Sequence, residues 1–114
     1  MGLDQYAYKV VAHDEDNRDE IAYWRKHPNL QGWMEQLWRE KGGEGEFNCA
    51  EVELTIDDLN DLERAIEGEE LPETEGFFFG GNSDDYYREE DLAFIADAAE
   101  YIDQGCKVVY TSWW

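Results

Sequence analysis

Cationic side chains are scarce in this sequence. Nine lysines and arginines stand against 29 aspartates and glutamates over 114 residues, a formal net charge of −20. A surface of that sign repels nucleic-acid phosphates and anionic membranes, so neither is an expected partner and a basic protein surface is. Long apolar runs are missing too, and no window reaches the ~20 residues of a membrane span. The start, MGLDQYAYKVV, has no basic stretch, apolar core or small-residue cleavage site, so no secretory signal is expected and the cytoplasm is the expected compartment. There are only two cysteines, Cys49 and Cys106. Lacking CxxC spacing and a secretory context, they read as free, buried thiols; with two histidines they make no convincing zinc set. A calcium-type DxDxDG loop is absent, and the nearest stretch, HDEDNRDE (13–20), lacks the glycine. No GxxxxGKS/T or GxGxxG segment occurs, and the glutamates of GGEGE (42–46) would repel phosphate. No cofactor or metal is implied.

Aromatic residues, in contrast, are plentiful at 15%, including five Trp and seven Tyr. That content argues against disorder and for one folded domain, residues 1–114. Residues 4–12 read as a strand, with Tyr6, Tyr8 and Val10 on one face and Ala7, Lys9 and Val11 on the other. The acidic stretch 13–20 reads as a loop. Residues 21–41 read as helix, broken at Pro28, with Leu30, Trp33, Met34, Leu37 and Trp38 forming a wide apolar face. FNCAEVEL (47–54) alternates as a second strand. Thr55 is the expected N-cap of a helix whose stripe is Ile56, Leu59, Leu62 and Ile66. After a long connection (69–83), a helix over about 89–103 buries Leu92, Ile95, Ala96, Ala99 and Ile102. CKVVYTSWW closes the chain as a strand. The order β-α-β-α-α-β predicts an α+β fold: a small, mainly antiparallel sheet with helices packed on one face.

Two places concentrate binding chemistry. In YWRK (23–26), Arg25 and Lys26 suit an anion, and Tyr23 and Trp24 suit stacking; the alternative puts Trp24 in the core. Cys49 shares a strand face with Glu51, and a neighbouring carboxylate raises a thiol pKa, which argues for a structural cysteine over a nucleophile. The run Phe77-Phe78-Phe79, between glycines, is expected to plug the core, with Phe78 the ring that faces a partner or pocket.

MGLDQYAYKV, IAYWRK, FNCAEVELT, LPETEGFFFG with DDYY, and VVYTSWW occur in this order in a family of small uncharacterised proteins of bacteriophages and prophage-bearing bacteria, which the chain resembles over nearly its whole length. Some members are labelled phosphoglycerate kinase, a two-domain enzyme far longer than this chain. Members often have His where this chain has Gln31 and Asp where it has Asn48, which leaves a Cys-His or Asp-His arrangement incomplete here. The resemblance implies a phage-encoded protein acting inside a bacterium. It leaves the aromatics, Arg25, Cys49, Glu51, Thr74 and the Phe run as the shared site residues. No stretch carries a catalytic signature, so the leading expectation is a non-enzymatic protein that binds and modulates a host or viral protein. A DNA mimic that blocks a nucleic-acid-binding enzyme is the second expectation. A small enzyme or ligand-binding domain with a pocket near Trp24, Arg25 and Cys49 is the third. A homodimer is compatible with all three.

Overall fold

Tyr6 and Tyr8 alternate with Gln5, Ala7 and Lys9, and that period-two pattern builds the first of four strands. The computed structural model describes residues 3–11, 14–25, 27–68, 71 and 84–113. In chain order these form β1 (Asp4–Val11), β2 (Asp14–Arg25), α1 (Pro28–Glu40), β3 (Glu51–Leu54), α2 (Ile56–Glu67), α3 (Asp84–Asp103) and β4 (Lys107–Trp113). The sheet runs β2-β1-β4-β3, and every pair is antiparallel. The fold class is the expected one, α+β with the helices on one face of a small antiparallel sheet, and one strand more than the sequence pattern suggests.

That extra strand is β2, where the sequence reads as an acidic loop followed by the start of a helix. The β-forming Tyr23 and Trp24 pair with β1, Trp24 opposite Gln5 and Tyr23 opposite Tyr6, and Ile21 bulges out between Glu20 and Ala22. Their spacing fits a helix as well as a strand, and pairing with β1 decides between them. The acidic half, Asp14–Glu20, has weak strand propensity of its own and is held by the same hairpin. Its charges sit on an edge, where they discourage unwanted pairing.

One side of the sheet carries the core. Ala7, Trp24, Val52, Leu54, Val108 and Tyr110 pack with Leu30, Met34 and Leu37 of α1, Leu59, Leu62 and Ile66 of α2, and Phe94, Ile95 and Ala98 of α3. Pro28 occupies the first turn of α1, where a missing N–H costs nothing. Thr55 caps α2 as expected, in a capping box with Asp58. Helix α3 starts earlier than its apolar stripe suggests, at Asp84, and stops at Gly105, whose φ of 96° suits glycine.

The second expected strand is shortened. Cys49 has a φ of 66°, a left-handed turn that breaks the pleat, so β3 begins only at Glu51. The Cys49 N–H donates to the Ser112 carbonyl at 2.7 Å, and the turn drops Phe47 into the core against Trp38 and Tyr110. Both cysteines are free, but not both buried as expected: Cys49 is exposed and Cys106 half-buried.

Candidate functional site

The sheet face away from the helices is aromatic. Register places Tyr6 opposite Tyr23 on one side and Thr111 on the other, and Tyr8 opposite Val109. The rings make one array around Tyr6. Tyr8 stacks at 6.2 Å, Trp113 stacks at 4.5 Å, and Tyr23 tilts at 5.0 Å. Arg18 lies over the Tyr8 ring and pairs with Glu51 at 2.8 Å. Tyr23 and Trp113 are 47% and 41% exposed, so the array reaches solvent. Beside it, Val10, Val109, Arg18, Lys107, Glu51 and Glu53 line a shallow hollow of about 260 Å³. The Tyr23 hydroxyl donates to Asp4 Oδ1 at 2.8 Å, which pushes the phenol above its usual pKa. Partial burial, then the carboxylate of Asp4, does the same for Tyr6. Both phenols therefore stay neutral donors across the physiological range.

Beneath the sheet lies a second polar cluster, sealed from water. The Trp24 indole N–H donates to Asp91 Oδ1 at 2.8 Å, and His27 Nε2 sits 2.7 Å from Asp91 Oδ2. Gln5 bridges outward from there. Its Oε1 accepts from the His27 amide, and its Nε2 donates to the His27 carbonyl and the Tyr110 hydroxyl. Tyr110 in turn donates to Gln31 Oε1 at 2.6 Å. Burial drives the Tyr110 phenol far above its usual pKa, against the lowering effect of the Gln5 bond. The Tyr87 ring stacks on His27 at 4.7 Å. With His27 at 0% and Asp91 at 1% side-chain exposure, this dyad holds the core together and no substrate can touch it.

The residues singled out in the sequence do not converge. In YWRK, strand alternation splits the motif: Trp24 goes into the core, and Tyr23 and Arg25 are exposed on the opposite face. Cys49 and Glu51 are exposed at the far edge of the sheet, with β1 and β4 between them and Trp24. Glu51 pairs with Arg18, and Cys49 does not share its strand. Lys26, Thr74 and Phe78 lie outside the described residues, as does the rest of the Phe run. Exposed acids project from both edge strands and all three helices.

Sequence reasoning missed Gln5, His27, Asp91 and Tyr110. A signal for Asp91 existed: with Ile95 and Ala98 it falls on the i, i+4, i+7 stripe of α3 that faces the core, where an unpaired carboxylate is costly.

The geometry defines a class, a small α+β module with a helix-backed core and an aromatic, acid-flanked sheet face. No protein-family model, curated protein or solved structure matches the chain. Among the described residues no helix is long and apolar enough to cross a membrane.

Proposed function

We propose that this chain is a non-enzymatic interaction protein, phage-encoded and acting in the bacterial cytoplasm, that binds a host or viral protein carrying a basic surface. The observation that supports it is the ring array of half-buried Tyr6 and Tyr8 with exposed Tyr23 and Trp113 on a sheet face that no described helix covers. Rigid aromatics give large contact area at low entropic cost and dominate binding hot spots. Carboxylates of Asp4, Glu20, Glu51 and Glu53 flank the array, and the net charge of −20 steers basic partners toward it.

Retention from a lysate of infected bacteria on the immobilised protein tests this reading. A specific partner is expected at low salt, weakening as salt rises. The double variant Tyr8→Ser, Trp113→Ser, which changes only this face, is expected to lower retention at least roughly tenfold while the melting profile stays cooperative. Equal retention by the variant would remove the aromatic face from the function.

A further inference from the structure

The other side of the sheet's β2 edge carries a separate feature. A groove of about 230 Å³ runs between β2 and α3, with Ile21, Ala22, Trp24, Ala93 and Phe94 as its apolar lining. Two exposed carboxylates, Glu90 and Asp97, stand along it on α3. A bulge shapes the strand side. Ala7 pairs with Ala22 and Tyr8 with Glu20, so Ile21 is the extra residue, and it packs with Ala22 against the core instead of following strict alternation.

The edge itself offers backbone. At Arg25 the Tyr87 hydroxyl accepts from the amide and donates to the carbonyl, so both groups point away from β1. Antiparallel alternation turns the N–H and C=O of Tyr23 the same way. Those two groups make no hydrogen bond to another described residue. The free edge is therefore short, closed by Tyr87 at one end and by the Ile21 bulge at the other.

We propose that this edge and groove bind an extended partner peptide as a short fifth strand, of the pattern cation-x-apolar-x-cation. Strand addition of this kind takes its affinity from main-chain bonds and its specificity from alternate side chains. A residue opposite Tyr23 exchanges both backbone bonds. Its neighbour puts an apolar side chain into the groove over Ala93 and Phe94. The lysines or arginines two residues to either side then face α3. They span about 13 Å along an extended chain, against about 10 Å between Glu90 and Asp97 on the helix, a difference long flexible side chains absorb. A second copy of this chain is the wrong occupant. Two copies that each carry a net charge of −20 repel, and neither brings a cation pair to Glu90 and Asp97. Tyr23 is common to both sites, its backbone facing this edge and its ring the aromatic face, but the groove residues Ala93, Phe94, Glu90 and Asp97 and the array residues Tyr6, Tyr8 and Trp113 are not shared, so either assignment can fail alone.

The probe is the capped peptide acetyl-Lys-Thr-Val-Thr-Lys-amide, titrated into the full chain while backbone amide resonances are followed. Saturable shifts at Ile21–Trp24 and Ala93 are expected, with protection of the Tyr23 amide from hydrogen exchange. N-methylation of both threonine amides, which removes the ladder donors, is expected to weaken binding roughly tenfold or more. The pair Glu90→Lys, Asp97→Lys, at exposed positions, is expected to weaken it by a similar factor, and the Glu-for-Lys peptide not to bind. Undiminished binding of the N-methylated peptide would show plain charge attraction and overturn the proposal. So would shifts confined to the Tyr6–Trp113 face, or β2-edge shifts that depend on protein concentration without peptide, which would make a second copy the occupant.

Discussion

At the scale of single residues, Asp91 organises more of the molecule than any site read from the sequence. Its two carboxylate oxygens take the Trp24 indole from β2 and the His27 imidazole from the segment before α1. One helix thus locks the edge strand and the start of α1 to the core. Asp91→Ala leaves two buried donors unpaired, and each such group costs about 1–3 kcal/mol. A loss of at least about 3 kcal/mol in urea-unfolding stability is expected. A loss under about 1 kcal/mol would mean that water reaches the cluster and the dyad is not sealed. The result also bears on the aromatic face, because the dyad fixes the sheet beneath it.

At the scale of elements, α2 depends on a cap that titrates. Partial burial raises the Asp58 carboxyl, but hydrogen bonds from Lys41 Nζ and from Thr55 outweigh it and hold the group below its usual pKa. A depressed carboxyl contributes stability above its unfolded value of about 3.9, and that contribution is lost as pH falls through the folded value. Thr55→Ala is expected to cost about 1 kcal/mol at pH 7. Asp58→Asn is expected to flatten the wild-type loss of stability between about pH 5 and pH 2, read from unfolding midpoints. An unchanged acid limb would assign that loss to other carboxylates. This cap was legible in the sequence, as were the helix faces in outline, because Thr-x-x-Asp before an apolar stripe and i, i+3, i+4 spacing are local signals; Ile56 and Ala96, expected on the buried stripes, are exposed, and Phe94 and Ala98 are buried in α3 instead. Strand β2 was not. Ile21, Trp24 and Arg25 satisfy a helical period, and only the distant partner β1 selects the strand. The same selection scattered the expected site: strand alternation sends Trp24 to the core face and Tyr23 and Arg25 to the other. The Cys49 turn was hidden for a related reason, since its left-handed φ carries no glycine to announce it.

At the scale of the whole molecule, the charge of −20 acts on stability and recognition together. Among the described residues, ion pairs engage Lys9, Arg18, Arg39, Lys41 and Arg64, and most of these pairs are well exposed. Exposed pairs contribute about 0–1 kcal/mol each, too little to offset repulsion among the surplus carboxylates. Salt shortens the Debye length from about 30 Å at 0.01 M to about 8 Å at 0.15 M, so it screens that repulsion over most of a molecule 39 × 29 × 24 Å in extent. The melting temperature at pH 7 is therefore expected to rise with NaCl over that range. A domain of this size gains roughly 4–8 °C for each kcal/mol of repulsion relieved. Near the isoelectric point of about 4.1 the net charge is gone, and the salt dependence is expected to vanish with it. A melting temperature that falls with salt at pH 7 would mean the ion pairs outweigh the surplus charge. Binding to a basic partner is expected to respond in the opposite sense, weakening over the same salt range in which the fold strengthens. That opposition separates the two roles of the acids, because loss of binding at 0.15 M cannot then be ascribed to loss of structure.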